Sequence, residues 1–276
     1  MMLLLLGTLV ASAGAGCLGV MLGLGGGIFL VPFLNLVAGL PFQSAVGVSL
    51  VTIIATSSVT ATNPQQRQVT NLKLGMLLEA FSAPAALFAA YWAQSISEPT
   101  LRRIFAAAAI GIAAVMYTRL NRRNVVLDPA FETGLLGGRF FEMESGAVVS
   151  YAVKRVPLAC GTSVLAGMLS GLIGIGGGII KVPVLNAWCG VPLRAAAATS
   201  AFMIGITVVA SAIPYYARGD VVPHFAAATV LGVLAGGRAG IWIAGRASAR
   251  WLKLTLIAML VLVAITYLVK AGRAAG

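Results

Sequence analysis

The chain has 276 residues, of which 59% are hydrophobic and 9% charged. A soluble domain carries about 25% charged residues, so this composition excludes the soluble globular classes and marks an integral membrane protein. The net charge of +12 fits an excess of Lys and Arg in cytoplasmic loops; no basic domain stands apart from the apolar segments, which excludes nucleic acid as a partner.

Ten hydrophobic segments run along the chain, about five per half. The first half holds 2–22, 26–40, 43–62, 72–93 and 103–120; the second holds 156–173, 177–190, 194–216, 223–244 and 252–270. The opening Met1-Met2-Leu3-Leu4-Leu5-Leu6 has no basic stretch before its apolar run and reads as a first span, not a cleaved signal peptide. A full span needs about 20 apolar residues. The second segment of each half is too short, meets Pro32 or Pro183 within a few residues, and ends at Gly39-Leu40-Pro41 or Gly190-Val191-Pro192. It is expected to be a broken or half-length helix. The chain thus divides into a first membrane repeat (1–120), a polar cytoplasmic connector (121–155) and a second membrane repeat (156–276). Within the connector, Arg139 to Ala152 is expected to form a small hairpin around Glu144-Ser145-Gly146. The fold class expected is an all-α polytopic protein of the cell (inner) membrane.

The two halves are related in sequence. Gly23-Leu24-Gly25-Gly26-Gly27-Ile28-Phe29-Leu30-Val31-Pro32 returns 151 residues later as Gly174-Ile175-Gly176-Gly177-Gly178-Ile179-Ile180-Lys181-Val182-Pro183. At the same offset Asn35 matches Asn186, Ala45 matches Ala196 and Ser49 matches Ser200; shifted by one residue, Trp92 matches Trp242 and Tyr117 matches Tyr267. If all ten segments cross, Lys and Arg divide 12 inside against 5 outside, with both termini outside; if the short segments turn back, the division is 11 against 6. Both arrangements place the connector in the cytoplasm. Five segments per half make the second copy inverted, a plan common among secondary transporters, and this is the arrangement expected.

Irregular backbone at membrane depth survives only inside protein or along a cavity, and paired Gly/Pro interruptions point to a transporter's binding site. A helix start with bare N–H groups binds anions. Gly25, Gly26, Gly27, Gly176, Gly177 and Gly178 are therefore the leading candidates for substrate contact. The alternative is close helix packing, since Gly23 and Gly27, like Gly174 and Gly178, show small-xxx-small spacing. Valine at Gly26 or Gly177 separates the two: an anion site predicts lost binding in protein that still inserts. Ser49 and Ser200 lie on Ser/Thr-rich segments, and their hydroxyls have two readings: contact with an oxyanion or bonding between helices. Asn35 and Asn186 are candidates for the site or for bonding freed backbone groups.

Ionisable groups inside spans are functional candidates. Lys181 is placed to pair with an anionic substrate, and Glu79 to carry a coupling proton. Snorkelling to the interface is the alternative for Lys181 and the favoured reading for Arg238; His224 sits at an interface. Gly14-Ala15-Gly16-Cys17-Leu18-Gly19 matches a dinucleotide fingerprint but follows no strand, and no Walker A sequence is present. Cys17, Cys160 and Cys189 fit no zinc or disulfide spacing and read as small hydrophobes. No cofactor and no metal is expected.

The doubled Gly-x-Gly-Gly-Gly-x-x-x-Val-Pro pattern across a charged connector resembles the sulfite exporter TauE/SafE family of membrane permeases. The resemblance spans nearly the whole chain and includes Gly171-Leu172-Ile173 before the second motif and Tyr151-Ala152-Val153-Lys154-Arg155 after the connector. It implies transport of sulfur-containing anions such as sulfite or organosulfonates, and no catalysis. The expected partners are a small anionic substrate, the lipid bilayer, a coupling proton or cation, and a second copy of the chain in a homodimer. An intramembrane enzyme and a non-transporting scaffold subunit are the rival classes. A lone histidine and the lack of His-Glu-x-x-His argue against metal hydrolysis.

Overall fold

The computed structural model describes residues 2–23, 25–118, 133–142, 147–244, 257–258 and 260–267. The first half consists of α1 (Met2–Leu22), α2 (Gly27–Leu36), α3 (Phe42–Ala61), α4 (Pro64–Val69), α5 (Leu72–Ala93) and α6 (Glu98–Thr118). A two-stranded hairpin follows, β1 (Gly138–Glu142) and β2 (Ala147–Tyr151). The second half consists of α7 (Val156–Ile173), α8 (Gly178–Ala187), α9 (Leu193–Ala217) and α10 (Pro223–Ala244). Residues 257–258 and 260–267, within the tenth expected segment, are helical. Among the described residues, six helices are long and apolar enough to cross a membrane, while α2 and α8 have 10 residues each. The chain is a multi-pass, all-α membrane protein.

Two details differ from the hydropathy reading. The short helix α4 was not expected, because six residues carry too little periodicity to read. And α6 starts five residues earlier than its apolar run. Glu98 explains that start: its Oε1 accepts from Phe42 N at 3.0 Å, Asn35 Nδ2 at 3.1 Å and Arg102 Nη2 at 2.7 Å, and a carboxylate in a first turn suits the helix dipole.

The connector hairpin is present, with β1 antiparallel to β2 and Glu142 opposite Ala147. Its expected turn, Glu144-Ser145-Gly146, lies outside the described residues. So do Arg119, Arg122, Arg123, Arg246, Arg250, Lys253, Lys270 and Arg273 from the charge count. Phe140, Val149 and Tyr151 are buried in a cluster with Val69, Leu74 and Leu78. Asn71 joins hairpin to helix: its side chain caps α5 by accepting from Leu74 N and donates to Leu136 O at 2.7 Å and Tyr151 Oη at 3.1 Å.

The halves interlock. α1 packs chiefly on α10, and α7 chiefly on α5, so the first helix of each half lies against a helix of the other. Small residues permit this. A methyl group built on Gly16 would meet Val233 Cα at 2.8 Å, and one on Gly240 would meet Cys17 O at 2.6 Å. On the other side, Gly167 is pressed against Ser82 O, and Gly171 against Ala86 O and Ala90 N. Close backbone approach of this kind is what holds helices together where apolar burial offers no gain over lipid. Gly16 of the nucleotide-like sequence therefore packs α1 on α10, and Gly19 packs α1 on the turn at Gly25 and Gly26. α3 and α9 also pack together, joined by Ser57 Oγ donating to Ala201 O at 2.9 Å.

Candidate functional site

Each half-helix begins at a turn that only glycine accommodates. Gly23, Gly25 and Gly26 have φ of 68°, 77° and 78°, and Gly174, Gly176 and Gly177 have 68°, 77° and 70°. Left-handed backbone costs other residues about 1–2 kcal/mol each, so three in four positions leave glycine as the workable choice. Gly26 and Gly177 are the N-caps, and no side chain caps either helix. The first N–H groups of α2 and α8 therefore have no partner within their own helix.

The two turns converge on one pair of side chains. A methyl group on Gly25 would lie 2.8 Å from Ile53 Cγ2 and 3.4 Å from Ile204 Cγ2; one on Gly176 would lie 3.1 Å from Ile204 Cγ2 and 3.6 Å from Ile53. Gly27 and Gly178, the first helical residues, sit beside Ser49 and Ser200: added methyl groups would be 2.8 Å and 2.9 Å from the hydroxyl oxygens. Ser49 Oγ donates to Gly174 O at 3.1 Å, a bond from one half to the other. Ser200 Oγ is fully buried and has no hydrogen-bond partner. An unpaired buried hydroxyl is costly, and here it lies beside the start of a helix.

The same geometry changes what valine at Gly26 or Gly177 would reveal. A methyl group on Gly26 would meet Ala15 O at 2.7 Å, and one on Gly177 would meet Ala166 O at 2.8 Å. Close packing is thus built into both turns, and a side chain there disturbs the fold before it meets any ligand. A narrow cavity lies against the first turn, lined by Gly19, Gly23, Gly25, Thr56, Ser57 and Ile204. At about 10 Å³ it has room for roughly one water.

Asn35 and Asn186 lie at the far ends of α2 and α8. Each donates to a carbonyl just beyond its helix, Leu40 O at 2.8 Å and Val191 O at 3.0 Å. They close off the half-helices, which end at Leu36 and Ala187, just before the left-handed Gly39 and Gly190.

Lys181 does not reach the interface. It is 1% exposed and directs its ammonium at Glu79 Oε2, 3.2 Å away. The pair joins α8 to α5, and two hydroxyls complete it: Lys181 Nζ lies 2.7 Å from Ser82 Oγ and 3.1 Å from Thr207 Oγ1. Thr207 in turn donates to Glu79 Oε1. The sequence offered Glu79 and Lys181 as separate candidates. Ser82 carries no sequence signal as a site residue, because a serine inside an apolar span has no periodic signature. Arg238 and His224 are exposed. Cys17 and Cys160 are half-buried and Cys189 buried, all as free thiols.

A family model for the sulfite exporter TauE/SafE matches residues 8–267, from α1 to the last described helical residue. The chain belongs to the sulfite exporter TauE/SafE family. It is 27% identical over 257 residues to the probable membrane transporter protein YunE of Bacillus subtilis, covering 90% of this chain and 92% of that protein. It is 26% identical over 211 residues to the probable membrane transporter protein MJ0441 of Methanocaldococcus jannaschii, covering 72% of this chain and 68% of that one. No solved structure gives a significant match. Membership makes the chain a membrane transporter of the TauE/SafE type, and the doubled glycine turn is the part of its fold that departs furthest from ordinary membrane helices.

Proposed function

We propose that the protein is a secondary transporter, of the exporter type, for small sulfur-containing anions such as sulfite or organosulfonates, in the inner cell membrane. The substrate is held where the half-helices α2 and α8 meet. The N–H groups that follow Gly26 and Gly177 face its oxygens, with Ser49 and Ser200 at the sides, and the halves rock around that point in alternating access. The observation that carries this reading is the convergence of both glycine turns on Ile53 and Ile204 beside the unpartnered hydroxyl of Ser200. Two positive dipole ends meeting at one place favour an anion. In the present conformation the turns are closed on each other, so substrate entry requires one half to move. Lys181 supplies the fixed positive charge nearby, and Glu79 is the proton carrier.

Flux into proteoliposomes tests this. Reconstituted protein should move labelled sulfite and labelled organosulfonates, with saturation and with inhibition of each by the other. Failure to move any of these anions, by protein shown to be folded and inserted, would remove the reading and favour a non-transporting subunit.

A further inference from the structure

The network around Lys181 is complete as it stands. An ammonium has three N–H donors, and Lys181 uses them on Glu79 Oε2, Ser82 Oγ and Thr207 Oγ1 at 3.2, 2.7 and 3.1 Å. Both carboxylate oxygens of Glu79 are engaged too, Oε2 by Lys181 and Oε1 by Thr207. Glu79 is 4% exposed, and Ser82 and Thr207 are fully buried. A second anion thus finds no free donor on Lys181. It can bind the ammonium only by taking the place of one of these partners.

Charge decides which partner leaves. Replacing a hydroxyl would put two negative charges on one ammonium in a low-dielectric site, which is heavily disfavoured. Replacing the carboxylate keeps the ion pair neutral but strands Glu79. Among the described residues, no other charged group is placed to rescue it. Of the helices packed around it, α7 carries no Asp, Glu, Lys, Arg or His, and on α8 the one charged residue is Lys181. Lys73 on α5 and Arg194 on α9 are exposed near the starts of their helices. A stranded buried carboxylate neutralises itself by taking a proton.

We propose that the transported anion competes with Glu79 for Lys181, and that each anion bound sends one proton onto Glu79. This rests on the anion-transport reading above and gives it a coupling mechanism. The balance is simple. Before binding, the site holds one ammonium and one carboxylate. Afterwards it holds one ammonium, one monovalent anion and one carboxylic acid. The proton comes from water on the side from which the anion enters. It goes to the carboxylate oxygen released by Lys181, while Thr207 retains the other. Net charge in the site is zero in both states, so the membrane potential neither drives nor opposes the step for a monovalent anion.

The geometry connects this network to the glycine turn. The Lys181 backbone N bonds Gly177 O at 3.3 Å, one helical turn into α8. Thr207 lies three residues after Ile204, the side chain on which both glycine turns close, and residues three apart are neighbours on a helix surface. Movement of an anion from the turn to Lys181 therefore covers about one turn of helix.

The test is calorimetric titration of the purified protein with methanesulfonate, which stays ionised throughout and adds no proton of its own. Sulfite titrates near neutrality and would obscure the count. Runs in buffers of differing ionisation enthalpy give the number of protons taken up. About one proton per anion is expected in the wild-type protein, with affinity falling roughly tenfold per pH unit across the linked range. Glu79→Gln, which keeps the shape and the neutral form, should bind methanesulfonate with no proton uptake and no pH dependence. Binding to wild type without proton uptake at any pH would overturn competition while leaving anion transport intact. So would proton uptake that survives in Glu79→Gln. Absence of binding and of flux for methanesulfonate, isethionate and sulfite alike would overturn the anion-transport reading itself, and the coupling with it.

Discussion

Lys181 Nζ lies 3.2 Å from Glu79 Oε2, with the two side chains 1% and 5% exposed. They are 102 residues apart in sequence and belong to different halves. The corresponding place in the first half has Leu30 where the second has Lys181. The charged pair therefore engages α8, and its sequence counterpart in α2 carries no such charge; that asymmetry is where specific chemistry enters the doubled sequence.

Breaking that pair should cost more than removing it. Lys181→Met leaves a buried carboxylate without its partner, a change that typically costs about 3–5 kcal/mol. Lys181→Met combined with Glu79→Leu removes both charges and should recover most of the loss. Thermal unfolding in detergent, followed by fluorescence, measures this as a double-mutant cycle. Equal and additive losses would mean that the two side chains do not depend on each other.

Ser49 and Ser200 should part company despite their matching positions. Ser49→Ala removes a donor from Gly174 O and should destabilise the ligand-free protein by about 1 kcal/mol. Ser200 Oγ has no partner to lose, so Ser200→Ala should leave the melting temperature unchanged or raise it. Its effect belongs to binding: affinity for methanesulfonate should fall several-fold, as expected for one lost hydrogen bond. Unchanged affinity in Ser200→Ala would take this residue out of the site.

The glycine turns should be intolerant of any side chain. Gly26→Ala and Gly177→Ala place a methyl group under 3 Å from a backbone carbonyl and force left-handed backbone on alanine, a strain of about 1–2 kcal/mol before the clash is counted. Both should lower the yield of monodisperse protein. Gly7→Ala meets nothing within 4 Å and should be silent or slightly stabilising, since alanine favours helix by up to about 1 kcal/mol. Comparable behaviour of all three would show that the turns are not constrained as the packing implies.

Orientation can be read by thiol labelling. In a background lacking Cys17, Cys160 and Cys189, a cysteine at Leu135, a connector position 90% exposed, should be protected from an impermeant reagent added outside intact cells. Labelling at that position would place the connector outside and reverse the orientation derived from Lys and Arg.

Much of this molecule is legible in one dimension. Segment positions follow from hydropathy because a membrane span must satisfy its own backbone and present apolar side chains, which leaves a continuous run of about 20 residues. The half-helices are legible because glycine and proline act locally: left-handed φ at Gly25, Gly26, Gly176 and Gly177 and the missing donors of Pro32 and Pro183 are properties of single residues. The connector hairpin follows from alternation around a turn. The repeat shows because its offset preserves these local signals in both halves.

Contacts between distant elements left no such trace. That α1 packs on α10 and α7 on α5 depends on which small residues face each other across two helices, and many Gly and Ala positions could serve. That Asn35 and Asn186 reach backbone carbonyls, while Ser200 reaches nothing, depends on distances of a few tenths of an ångström. Sequence established that Glu79 and Lys181 are ionisable groups inside spans, where an unpaired charge is costly. Tertiary structure alone decided that each is the other's partner, because a buried charge is stabilised by whatever lies within a few ångströms of it, and folding brings that neighbour from 102 residues away.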